Sequence, residues 1–175
     1  MSPEFPEEPV DGFPTPPRTI TDREGREIDL TEADATDLES LVEMYLAFDP
    51  KDRAQGIPPT GEDAIREWLE LLAAEDSLHV VAYHDDDAVG HVMLVADREE
   101  RYELAIFVLQ PYQGAHIGTE LVRTGLGLAQ ARGIEFVWLS VERWNEAAVA
   151  LYEKIGFETT GSASFEMEMA LRLEQ

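Results

Sequence analysis

Apolar and polar positions along the chain recur in two rhythms, and the change from one to the other marks the elements. Six of the ten prolines fall in the first 17 residues, so neither a helix nor a central strand is expected there. Residues 1–19 read as an extended, loosely ordered lead. "RTITDREGREIDL" then sets Arg23-Glu24-Gly25 between two short alternating runs, which predicts a hairpin or a turn into the first core strand. From Thr31 the period lengthens. Leu38, Leu41, Val42, Tyr45 and Leu46 recur at steps of three and four, the pattern of an amphipathic helix that should stop before Pro50. Thr60 is placed to cap a second helix running to Ala74, with Ile65, Trp68, Leu69 and Leu72 on one face.

Two apolar runs around Asp85-Asp86-Asp87 predict a β-hairpin, and the three aspartates read as a solvated turn rather than a metal site. Tyr102 to Leu109 is apolar on both faces except at Glu103, as a buried central strand should be. "QPYQGAHIGTEL" leads from it into a helix spanning Thr119 to Ala131, which Gly133 ends. "EFVWLSV" is a further buried strand, "NEAAVALYEKIGF" a short helix closed by Gly156, and "SASFEMEMALRL" alternates as an edge or antiparallel strand does. The order β-α-α-β-β-β-α-β-α-β-β describes a mixed α/β sandwich. Residues 20–175 are enough for one domain and too few for two.

A buried strand that passes through a glycine-bearing turn into a helix brings several free amide N–H groups to one point. The helix macrodipole adds positive potential there, so an anion can bind without lysine or arginine. The turn here does not follow G-x-G-x-x-G, nor does it carry the Lys-Ser/Thr of a nucleoside triphosphate loop. Downstream, Asn145 and Tyr152 stand seven residues apart, two helical turns along one face. Ala147, Ala148 and Ala150 between them leave room for a ligand to approach.

The pattern "V-x-x-x-N-x-x-A-x-x-L-Y-x-x-x-G-F" from Val141 to Phe157, with the Q/R-x-x-G-x-G/A loop before it, resembles the Gcn5-related N-acetyltransferase (GNAT) superfamily. The likeness covers residues 27 to 171 in element order and 102 to 157 in motif detail. It implies the GNAT fold, an α/β (α+β) architecture with a central, mixed but mostly antiparallel, splayed sheet flanked by helices. It also implies acetyl-CoA as the co-substrate. Ile106, Phe107 and Val108 fall where the family pairs its strand with the pantetheine arm. The Val108 amide would stabilise an oxyanion, and the pyrophosphate would rest on amides of Gln113, Gly114, Ala115, His116, Ile117, Gly118 and Thr119. Asn145 and Ala148 would border the cofactor. Tyr152 matches the tyrosine near the thioester sulfur, a general acid for the leaving thiolate. His116 departs from the family pattern, which has glycine there; a positive φ would cost it about 1 kcal/mol or more, whereas at negative φ it offers the same amide. Glu103, the one acid in the central strand's apolar run, resembles the family's general base, with a raised pKa expected from desolvation. A carboxylate at the strand's exposed end, without catalytic duty, is the competing reading.

Charge narrows the partners. The chain carries 37 acidic against 13 basic residues, a net charge of −24, which would repel nucleic acid. Attraction of a cationic substrate is one reading of this charge; the other is a surface kept soluble in concentrated salt, which screens self-repulsion. With two lysines against eleven arginines, the composition resembles that of halophilic proteins. There is no cysteine, so disulfides and thiolate metal sites are excluded, and no metal is expected. No apolar run approaches the ~18 residues of a membrane span and the start lacks a signal-peptide layout, so a cytoplasmic enzyme is expected. The acceptor is left open between a protein lysine or N-terminal amine and a small cationic amine, and homodimerisation is also open. A non-catalytic acyl-CoA sensor and a plain interaction domain are the readings from other classes.

Overall fold

In the computed structural model, which describes residues 4–49, 51, 57–74, 76–97, 99–162 and 165–175, one sheet runs through the molecule. Its strands are Arg18–Thr21 (β1), Glu27–Glu32 (β2), Ser77–His84 (β3), Asp87–Ala96 (β4), Tyr102–Val108 (β5), Phe136–Glu142 (β6), Glu158–Ser162 (β7) and Glu166–Arg172 (β8). They lie in the order β1-β2-β3-β4-β5-β6-β8-β7. The pairings are antiparallel except that of β5 with β6. The helices among the described residues are Leu38–Leu46 (α1), Glu62–Ala74 (α2), Ile117–Ala131 (α3) and Glu146–Ile155 (α4).

Strand alternation sorts the apolar residues into two cores, one on each face. Val80, Ala82, Val92, Leu94 and Leu104 meet Ile117, Leu121, Val122 and Leu126 of α3. Val81, Met93 and Phe107, one residue out of phase, meet Leu41, Tyr45, Ile65 and Leu69 of α1 and α2. The central strands are therefore apolar on both faces, as their composition predicts.

Three boundaries differ from the expected ones, each for a local reason. Thr31 and Glu32 still pair with β3, and Asp34 caps a short 3-10 turn through the Thr36 N–H at 2.8 Å, so α1 opens at Leu38 rather than Thr31. The Gly61 carbonyl accepts from the Ile65 N–H at 3.0 Å, which puts Gly61 and not Thr60 at the cap of α2. Helix α3 opens two residues early, at Ile117, with His116 as its cap. Pro50 and residues 52–56, between α1 and α2, lie outside the described residues.

The N-terminal lead is tied down, unlike the loose order its prolines suggest. Val10 bridges to Leu173, with its N–H on the Arg172 carbonyl at 2.7 Å. Further on, the lead crosses α3 at Gly127, where a Cβ would stand 1.8 Å from the Pro14 carbonyl oxygen. Gly127→Ala therefore forces the lead off the helix. Because a terminal segment can peel away rather than strain the core, a loss of about 1–2 kcal/mol is expected, read as a lower midpoint in urea at unchanged ligand affinity.

Candidate active site

β5 and β6 pair at two positions, Tyr102↔Val137 and Glu103↔Trp138, and beyond these the two parallel strands separate. The gap opens a cleft of about 720 Å³. Its first wall is the free edge of β5. β5 pairs with β4 in an unbroken register, and the Leu109 N–H bonds the Val89 carbonyl at 2.9 Å. Successive residues of a strand direct their backbone groups to opposite sides. Val108 and Ile106 therefore face the cleft with their N–H and C=O groups, while those of Phe107 face β4. Of the three residues expected to pair with a cofactor arm, two present backbone and Phe107 presents its ring. The side chain of Gln113 already donates to the Val108 carbonyl at 3.0 Å.

The loop closes one end of the cleft. Gly114 has φ +72° and His116 φ +79°, so histidine sits in the left-handed region that the family gives to glycine. The cost of about 1 kcal/mol is offset by a contact glycine could not make: Nε2 of His116 lies 3.1 Å from Glu120. Glu120 is 7% exposed and also meets Arg18 at 2.9 Å and Arg123 at 3.2 Å. Burial alone would raise its pKa, but the hydrogen bond from Arg18 and the charge of Arg123 outweigh it and hold the carboxyl below its ordinary value. Its negative charge is thus neutralised beneath the helix end rather than opposing an anion there.

The Gln113 N–H is used inside the turn, on the Gln110 carbonyl at 3.1 Å, so this amide leaves the expected set. The amides from Gly114 to Thr119 have no protein acceptor among the described residues; the first helical bond of α3 comes from Glu120 to His116, at 3.3 Å. Gly114, His116, Gly118 and Thr119 line the cleft, whereas Ala115 and Ile117 point their side chains into the core.

Asn145, Ala148 and Tyr152 form the opposite wall. Asn145 caps α4, its Oδ1 accepting from the Ala148 N–H at 3.2 Å, so its place at the cleft follows from a helix start. Tyr152 is 9% exposed, packs edge-on against Phe157 at 5.8 Å, and has no hydrogen-bond partner for its hydroxyl among the described residues. Burial pushes its pKa up to about 12. Glu103 lies exposed at the fork where β5 and β6 part, and no cation or hydrogen-bond donor meets it among the described residues. Desolvation raises its pKa, assisted by the charges of Asp97, Glu166 and Glu168. No group of described His, Asp or Glu residues could hold a metal ion.

Two features had no foothold in sequence reasoning. Arg23, from the turn between β1 and β2, lines the cleft beside the loop. His91 and His79, given no role from the sequence, form a buried relay behind the first wall. Ser77 Oγ donates to the Leu72 carbonyl at 2.8 Å. With that proton committed, His79 Nε2–H must donate to Ser77 at 3.0 Å, His91 Nε2–H to His79 at 2.8 Å, and the Tyr45 hydroxyl to His91 Nδ1 at 2.6 Å. Burial, with His79 close by, pushes the pKa of His91 well down, which keeps the row neutral. The Tyr45 ring rests edge-on against Phe107 at 5.6 Å, so the row braces the strand that forms the cleft wall.

Known proteins share this fold and part of this sequence. The profile described as Acetyltransferase (GNAT) family matches residues 38–157, more than half of the chain. An uncharacterized N-acetyltransferase of Mycobacterium tuberculosis is 32% identical over 101 residues, covering 57% of this chain and 65% of that protein, a little under two thirds of its length. The GNAT domain of S. lividans PAT superposes with a TM-score of 0.78 at 15% identity, over 90% of this chain and 97% of that one. The PaiA N-acetyltransferase of Thermoplasma acidophilum, solved in complex with coenzyme A, gives 0.64 at 19% identity, over 83% and 98%. At such identities the two structures establish the fold. With the profile spanning both the loop and the Asn145–Tyr152 helix, the chain belongs to the GNAT acetyltransferase family.

Proposed function

We propose that this protein is an acetyl-CoA-dependent N-acetyltransferase that passes the acetyl group to a primary amine by direct attack while both substrates occupy the cleft. Bound acetyl-CoA would supply an acetyl thioester. What carries this reading is the run of unused amides from Gly114 to Thr119, at the N-terminus of α3 and the end of an unpaired strand edge. Such a cluster holds a diphosphate by backbone alone. The cleft-facing N–H of Val108 is available to negative charge developing on a carbonyl oxygen, and Ile106 offers the next pairing position along the edge. Asn145 fixes the start of α4, and Ala148 keeps that wall low. Tyr152, in the cleft lining, brings a hydroxyl with no partner among the described residues.

The attacking nitrogen must give up a proton, and on this reading Glu103 receives it. Glu103 and Val108 are five strand residues apart, about 16 Å, so Glu103 acts through cleft water. As the C–N bond forms and the C–S bond breaks, the sulfur gains a proton and the amine nitrogen loses one. The acceptor side favours a cationic amine. Glu142 and Glu166 oppose each other across β6 and β8 and both line the cleft with Glu103. Like charges opposed on a sheet are destabilising until a cation lies between them.

Titrating acetyl-CoA in a thermal-unfolding assay tests the reading: at 100 times Kd the added stability is about 2.7 kcal/mol. No stabilisation at any concentration would overturn it. Running the titration in low and high salt also reads whether the acidic surface is adapted to concentrated salt. Release of free thiol with a panel of amines identifies the acceptor.

A further inference from the structure

The proposed coenzyme site has its phosphate end on a loop without a free cation of its own. Between Gln113 and Thr119 only His116 can become charged, and its ring is held by Glu120. The Gln113 side chain, at the motif position that elsewhere holds arginine, is engaged on the Val108 carbonyl. The missing charge comes from a distant part of the chain. Arg23 N–H donates to the Ala115 carbonyl at 3.0 Å, which fastens the β1–β2 turn to the loop, and the Arg23 side chain lines the cleft with Gly114 and His116.

This arginine differs from seven others. Arg18, Arg26, Arg66, Arg101, Arg123, Arg132 and Arg172 are each ion-paired to a carboxylate. Arg23 has no acid partner among the described residues, in a chain where acids outnumber bases 37 to 13. The turn that carries it is stiff. Asp22, 5% exposed, accepts from the N–H groups of Glu24 and Arg26 at 2.9 and 2.8 Å and from Arg26 Nε at 2.7 Å. Arg26 in turn lies over the Tyr112 ring at 4.1 Å. At the other end of the same cleft, the unpartnered hydroxyl of the nine-tenths-buried Tyr152 also awaits a ligand.

We propose that Arg23 is the side-chain ligand for a phosphate of the coenzyme, delivered by the N-terminal hairpin to a loop that otherwise binds by backbone alone. Arg23 lies outside residues 38–157, the stretch matched by the family profile. The assignment rests on the acetyl-CoA reading above. Two phosphates share the required chemistry, the diphosphate and the 3′-phosphate, and the two ligands of the test separate them.

The test is calorimetric titration of wild type, Arg23→Ala and Arg23→Lys with coenzyme A and with 3′-dephospho-coenzyme A, in low and high salt. Arg23→Ala should weaken coenzyme A about tenfold, Arg23→Lys should restore part of the loss, and wild type should lose more affinity to salt than the alanine variant. A loss confined to coenzyme A assigns the 3′-phosphate; an equal loss for both ligands assigns the diphosphate. The Arg23 side chain is exposed and its N–H contact survives substitution, so the variants should melt with wild type. If wild type binds and Arg23→Ala binds equally well, the role of Arg23 is overturned while the enzyme reading stands. If wild type binds neither ligand, both fall together.

Discussion

Tyr152→Phe is expected to lower kcat about 100-fold, the lower range for removing a proton donor, while leaving the Kd for acetyl-CoA within twofold of wild type. The ring remains where it packs against Phe157, and the hydroxyl that is removed has no partner to orphan among the described residues, so folding stability should hold. The value of about 12 also refines what the phenol does. A phenol whose pKa burial has raised this far gives its proton to a less basic thiolate only uphill. On the proposed reading, Tyr152 would then act first as a hydrogen-bond donor to the departing sulfur, with the proton completed from cleft water. Single-turnover kinetics checks this. An unchanged rate in Tyr152→Phe would leave the residue as packing.

Glu103→Gln should cost a comparable factor at neutral pH, about 100-fold in kcat/KM, and should flatten the acid limb of the pH profile. In wild type that limb should lie above 4.5, because desolvation and three nearby acids raise the Glu103 pKa. The stability effect has the opposite sign. A carboxyl whose pKa is higher folded than unfolded loses stability as pH rises through that window. At neutral pH the charged Glu103 thus works against the fold, and Glu103→Gln should melt at a slightly higher temperature than wild type, with the gap vanishing below the unfolded value. Lower activity with a higher Tm is the signature of a group kept for chemistry. Lower activity with a lower Tm would make Glu103 a structural residue.

The parts of this molecule legible in its sequence are those whose physics is local. The apolar run of β5, the glycine-bearing turn and the amphipathic α3 follow from residues adjacent in the chain, and the Asn145–Tyr152 spacing from a helix period. The splay of the sheet was available through resemblance alone, since nothing in "YELAIFVL" or "EFVWLSV" says that pairing stops after Glu103 and Trp138. The conformation of His116 was legible as a choice between two backbone regions but not as an outcome. The compensating partners of Glu120 include Arg18, 102 residues away in the chain. Arg23 was invisible for the same reason. Its hairpin meets the loop through the Ala115 carbonyl, and the pattern of a turn does not reveal what it will lean against.

β5 divides its duties by parity. Counting along it, odd members Ala105 and Phe107 look toward α1 and α2, and even members Leu104, Ile106 and Val108 toward α3. On the proposed reading, the two substrates come together at a strand that borders both layers. A single inserted or deleted residue would exchange the assignments along its whole length. A substitution in this strand therefore alters one contact, whereas a change in its length alters every contact beyond it.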